Sequence, residues 1–159
     1  MISRMKNSLT LFAMIFSSGI SHSLQAGDIV DPSEVYKPEE VIRLQLTSLM
    51  HNDKPYPDAG IAQTFAFAHP NNKRVTGPVE KFGQMLRLPA YQQLINHRSH
   101  EVKLFTLSDN EAFFGVKIID ANGNKVGFRW VVGKNNTDEC QGCWMTVRVS
   151  GAIPIGQSI

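Results

Sequence analysis

Two pairs of residues in this chain have the types and spacing for chemistry: Cys140-x-x-Cys143 and His97-x-x-His100. A Cys-x-x-Cys pair serves haem attachment, thiol redox exchange, zinc ligation or disulfide closure. Haem attachment needs a His directly after the second Cys, and Trp144 stands there. A thioredoxin-like site wants its first Cys at a helix N-terminus, where the dipole lowers the thiol pKa. Here the pair lies on a loop entering a strand. Zinc would need both His residues to complete a Cys₂His₂ set. An offset of three along an extended strand puts His97 and His100 on opposite faces. In an up-and-down meander they open the first strand while the Cys pair joins the third to the fourth, ~20 Å away for strands of six or seven residues. The expectation is a structural disulfide, Cys140–Cys143, with no metal and no cofactor.

A disulfide requires an oxidising compartment, and the N-terminus supplies the address. Arg4 and Lys6 precede an uncharged, mostly apolar run from Leu9 to Ile20, and Ser23-Leu24-Gln25-Ala26 ends in a small residue suited to signal peptidase. Residues 1–26 are expected to be a cleaved export signal, too short and too interrupted to span a bilayer. No Cys lies near the cut, which excludes a lipoprotein anchor. The expected location is periplasmic or secreted. Removing 1–26 from 159 residues leaves 133, enough for one domain. Arg4 and Lys6 are two of the 16 Lys and Arg, so the remaining 14 balance 14 Asp and Glu. A neutral domain has no electrostatic footprint for nucleic acid or an anionic membrane. Lys73-Arg74 and His97-Arg98-Ser99-His100 are expected to be solvated turns. No second apolar run of spanning length follows.

The elements that must carry these residues come in two blocks. Residues 27–37 are a polar leader, 38–152 the domain and 153–159 a tail. Pro38-Glu39-Glu40 opens a helix whose Ile42, Leu46, Leu49 and Met50 form one apolar stripe. Asp58 caps a second helix that Pro70 ends, with His69 at its C-terminus. Gly77-Pro78 opens a third, with Val79, Phe82, Met85 and Leu86 as its stripe, and a short turn follows near Tyr91, Leu94 and Ile95. The period then becomes alternating: Val102–Leu107, Ala112–Ile119, Val126–Val132 and Met145–Val149 are strands, and Asn122-Gly123 turns the middle hairpin. Three helices before four meandering strands predict an α+β fold, with helices on one face of a curved antiparallel sheet.

In this order, Gln45-Leu46, Phe65-Ala-Phe-Ala-x-Pro70, Gly77-Pro-x-x-Phe-x-x-Met85, Tyr91 before His97-Arg98, and Gly142-x-Trp144 running to Gly151 form a pattern. It resembles the bacterial domain of unknown function 4864 family, itself similar to the nuclear-transport-factor-2-like cone folds that include SnoaL-type cyclases and ketosteroid isomerases. The resemblance covers about Glu40 to Gly151. It implies a helical layer closing a curved sheet around a pocket, and by analogy a homodimer through the sheet. It implies no catalytic residue, and the superfamily holds enzymes, binding modules and dimerisation domains alike.

Candidates to line such a pocket are Tyr91, His97, Arg98, Phe114 and Trp130, with Arg148 as a further anchor. Phe114 and Trp130 serve equally as core packing. Arg129 and Arg148 have the parity of a solvent face. His69 and His51 are favoured by helix C-termini. Asp109, Asp120 and Asp138 fall in turns, so no carboxylate stands inside a strand where a ketosteroid-isomerase-like base would be. Asn135-Asn136-Thr137 is a formal glycosylation sequon. The expectation is an exported module that binds a small apolar ligand or a protein partner without catalysis. The rival is a small-molecule enzyme using Tyr91, His97 or Arg98, and the third reading is a thiol-redox protein.

Overall fold

The computed structural model describes residues 28–155. The expected export signal, residues 1–26, lies outside the described residues, as do 27 and 156–159. The fold is α+β: four α-helices, then an antiparallel meander whose sheet does not close on itself.

Helix α1 (Pro38–Met50) starts where the Glu40 carboxylate accepts the Lys37 backbone N–H at 2.7 Å. Its Ile42, Leu46 and Leu49 are fully buried against the sheet. Helix α2 (Ala59–Ala66) crosses α1 closely: a Cβ on Gly60 would fall 2.1 Å from the Ser48 carbonyl oxygen. The turn between them is tied by buried Asn52, which donates to Asp53 and Asp58 and accepts from the Ile61 N–H. Asp58 precedes α2 with φ 64° and does not cap it through its side chain. Its carboxylate is turned to Asn52 and to Arg87 at 2.6 Å.

A helix absent from the expected set, α3 (Pro70–Thr76), follows, so the helical block has four members rather than three. Pro70, expected only to end a helix, takes the first position of this one, where its missing N–H costs nothing. His69 therefore sits at a helix N-terminus, not a C-terminus, and its Nδ1 accepts from the Asn71 N–H. What stops α2 is tertiary. Phe67 and His69 exchange backbone bonds with Thr146, 2.8 Å each, and Ala68 forms a parallel bridge to it. Lys73 and Arg74 lie in the last turn of α3 rather than in a solvated loop. Helix α4 (Val79–Leu86) buries Phe82 and Leu86, and a 3₁₀ turn at Gln92–Leu94 leads to the sheet.

Strands β1 (Ser99–Leu107), β2 (Glu111–Ile119), β3 (Lys125–Lys134) and β4 (Trp144–Val149) pair in chain order. Asn122-Gly123 turns β2 into β3, with Gly123 at φ 91°, and Asp120 accepts the N–H groups of Asn122 and Asn124 at 2.8 Å. Ala112, Phe114, Val116 and Ile118 face the helices together with Val126, Phe128, Trp130 and Val132. A register shift between β3 and β4 pairs Val132 with Thr146 but Trp130 with Val149. It turns Thr146 inward beside Val149, overriding the simple alternation that put Thr146 outside.

Both ends of the domain are more involved than expected. The polar leader is docked: Gln63 grips Val30 through its N–H and carbonyl at 2.7 and 2.8 Å, and Tyr36 meets the Phe67 ring edge-on at 5.7 Å. In the segment expected as tail, Ile153–Pro154 forms a short β5 beside Val126 and Gly127 of β3. Among the described residues no helix is long and apolar enough to cross a membrane.

Candidate functional site

Between the helical layer and the β3–β4 part of the sheet lies a cavity of about 330 Å³. Trp130, Leu94 and Tyr91 line one side, and Phe82, Met85 and Leu86 of α4 another. α3 contributes Asn71, Asn72, Val75 and Thr76, and β4 contributes residues 146–149. Val75 is 75% exposed while lining the space, which marks the mouth beside α3.

Its deep wall is a buried polar chain. Trp130 Nε1–H donates to Thr146 Oγ1 at 3.0 Å, the Thr146 hydroxyl donates to Gln45 Oε1 at 2.5 Å, and Gln45 Nε2 donates to the Thr64 carbonyl at 2.9 Å. Thr64 passes its own hydroxyl hydrogen to the Gly60 carbonyl at 2.8 Å. Every link has one direction only, because an indole N–H can only donate and a backbone carbonyl can only accept. Gln45, Thr64 and Thr146 are each at most 4% exposed, so the chain is shielded from bulk solvent.

Among the described residues that line the cavity, the only Asp, Glu, Lys, Arg or His is Arg148. Its guanidinium lies 5.9 Å from the Phe113 ring centroid, and Arg148, Val131 and Phe113 stand in register across the outer face of the sheet. The charge thus points away from the space, which is walled by apolar side chains and neutral hydrogen-bonding groups.

Of the candidates read from the sequence, Tyr91, Trp130 and Arg148 line this cavity, Arg148 with its guanidinium on the outer face of the sheet, and the others do not. Phe114 is a core residue, 2% exposed among the β2–β3 side chains. Arg98 reaches over the β2–β3 turn to the Ala121 carbonyl at 2.7 Å. His97 is 1% exposed rather than part of a solvated turn, and its Nδ1 lies 2.7 Å from the Leu94 carbonyl. Its Nε2 meets His100 Nδ1 at 2.9 Å, so the two His share one side instead of opposite faces. The alternation argument fails there because β1 begins only at Ser99, after Asn96 has turned the chain at φ 54°.

With Nδ1–H given to the Leu94 carbonyl, neutral His97 accepts from His100 at Nε2. Burial chiefly pushes the His97 pKa down; the Leu94 carbonyl opposes this, and His100 and His51 add to it. Burial also lowers His100, with Arg43 adding to it. His69 is lowered mainly by burial as well, and it too stands outside the cavity lining. Among the described residues no three His, Cys, Asp or Glu side chains gather as a metal would require.

The Cys140 and Cys143 Cα atoms are 5.6 Å apart, a disulfide separation. Their loop is organised by Asn135, which is fully buried. Asn135 Nδ2 donates to the Glu139 and Cys140 carbonyls, and its Oδ1 accepts from the Thr137 N–H and hydroxyl. The formal sequon is therefore a turn-forming side chain whose nitrogen is already engaged. Cys140 Sγ rests 3.2 Å from the Pro32 carbonyl oxygen, so this loop also seats the leader.

The residues missed from sequence are Gln45, Thr64, Thr146 and the α3 amides Asn71 and Asn72. One signal was available: Gln45 stands three after Ile42 and four before Leu49, on the apolar stripe of α1. No family model matches the chain, and neither a curated protein nor a solved structure does.

Proposed function

We propose that this chain is an exported binding module that takes one small, uncharged, mostly apolar molecule into the cavity beside Trp130 and does not transform it. The carrying observation is the cavity's chemistry: apolar walls, neutral polar groups and an Arg148 guanidinium turned to the opposite face of the sheet. A general acid or base must reach the proton it moves. Apart from Arg148, whose guanidinium lies on the opposite face of the sheet, Tyr91 is the one titratable side chain lining that space among the described residues. His97 and Arg98, which an enzyme would use, are committed to Leu94 with His100 and to Ala121. The Cys140–Cys143 spacing supports a structural disulfide that holds the loop under the leader, in keeping with export. The resemblance to the domain of unknown function 4864 family, and through it to cone folds, belongs to the same proposal.

Val75 gives the test, since its exposure leaves room to enlarge it without disturbing the core. Titration calorimetry with diphenylmethane is expected to show one site in the wild type and a loss of at least about tenfold in affinity in Val75→Trp, worth ~1.4 kcal/mol. Equal binding by both proteins would put the site elsewhere. Binding of neither diphenylmethane nor benzophenone by the wild type would remove the carrier reading.

A further inference from the structure

We infer that the ligand is an acceptor-bearing molecule: an uncharged apolar compound with a carbonyl or ester oxygen, held by the side-chain amide hydrogens of Gln45 and Asn72. The inference rests on the cavity being a binding site and goes on to name what it selects. It comes from the directions in which two lining amides, Gln45 and Asn72, are held.

An amide offers an oxygen that accepts and a nitrogen with two hydrogens, and its neighbours decide which end faces what. Thr146 has to donate onward to Gln45, because its hydroxyl already accepts from the donor-only Trp130 indole. The Thr64 carbonyl, acceptor only, fixes the other end. Gln45 Oε1 is thereby engaged, and of the two Nε2 hydrogens one goes to Thr64. Asn72 is oriented by one bond: its Nδ2 donates to the acceptor-only Thr146 carbonyl at 3.3 Å, while the Thr76 hydroxyl gives its hydrogen to the Asn72 backbone carbonyl at 2.9 Å. Asn71 Oδ1 takes a hydrogen from the donor-only Arg74 guanidinium.

Asn71 and Arg74 are exposed, so the donors held out of bulk water are the uncommitted side-chain N–H of Gln45, which is 1% exposed, and that of half-buried Asn72. A shielded wall with surplus donors favours a guest with acceptors. A guest bearing only hydrocarbon would leave a buried N–H of Gln45 unsatisfied, and a carboxylate would face no countercharge.

The experiment compares benzophenone, diphenylmethane and 4-benzoylbenzoate, which share a skeleton and differ in the carbonyl and the charge. Benzophenone is expected to bind about three- to tenfold more tightly than diphenylmethane, the ratio one net hydrogen bond supplies. It is also expected to bind more tightly than the carboxylate. In ¹⁵N-edited NMR of the wild type, a Gln45 Nε2 proton should move downfield with benzophenone and stay with diphenylmethane. Gln45→Met should erase the preference. The wild-type NMR result stands even if that variant fails to fold. Equal affinities with an unmoved Gln45 resonance overturn the inference while leaving the cavity a binding site, as does 4-benzoylbenzoate binding as tightly as benzophenone. If none of the three binds, the carrier reading itself fails.

Discussion

The Thr146 hydroxyl donates to Gln45 Oε1 at 2.5 Å, joining the fourth strand to the first helix across 101 residues of sequence. Thr146 Oγ1 in turn accepts the Trp130 indole N–H, so the Thr146 side chain closes the deep wall of the cavity and fastens the helices to the sheet. Removing it leaves two buried polar groups without partners.

Thr146→Val should therefore destabilise the fold by about 2–4 kcal/mol, from an unsatisfied indole N–H and an unsatisfied amide oxygen. Thr146→Ser keeps the hydroxyl and should cost less than half as much. Urea unfolding of the three proteins checks the pair. A Thr146→Val protein as stable as the wild type would contradict the role given to the hydroxyl.

Acid should loosen the corner where His97 meets His100. Both have folded pKa values below the ordinary 6.5, chiefly because of burial, so the unfolded chain binds more protons between the folded value and 6.5. Their contribution to stability is complete above pH 6.5 and is lost as the pH falls below it toward the folded pKa. Urea midpoints should drop between pH 7.5 and pH 5. His97→Gln should flatten that drop, leaving the parts due to His100 and His69, which burial also lowers. An unchanged slope in His97→Gln would remove this pair from the account.

Mild oxidation and export should leave Cys140 and Cys143 closed. Opening them in Cys140→Ser/Cys143→Ser should cost about 1–3 kcal/mol, the low end expected of a short loop. Thermal unfolding with and without reductant measures it. Free thiols in protein taken from its exported fraction would contradict the assignment.

Asn135 should be intolerant of change. Asn135→Ala removes the side chain on which the Glu139, Cys140 and Thr137 bonds converge, and should cost about 2–3 kcal/mol. Asn136→Ala, one residue on and exposed, should cost under about 0.5 kcal/mol. Denaturant midpoints of both variants separate a turn-forming asparagine from a surface one.

The layers of the fold were legible because periodicity carries them: the α1 stripe and the alternation of β2 and β3 each bury one face. The fourth helix was not. Pro70 suits a helix start as well as a stop, and what separates α2 from α3 is a backbone bridge to Thr146, far along the chain. The cavity was half legible. Aromatic Tyr91 and Trp130 stood out by type, whereas Thr146 is turned inward by a register shift that sequence alternation does not encode. His97 and His100 were separated by a strand rule that starts two residues too early for them. The Gln45 side chain was visible as a polar residue on an apolar stripe, but its meaning depends on partners at Thr64, Trp130 and Thr146.

The claim that the cavity holds a small neutral guest is met most directly by native mass spectrometry of the wild type and Val75→Trp, purified from the exported fraction without reductant. The account predicts a one-to-one small-molecule adduct on the wild type, released as an uncharged compound, and its absence from Val75→Trp. A wild type with no adduct, which also takes up neither benzophenone nor diphenylmethane at saturation, would contradict it.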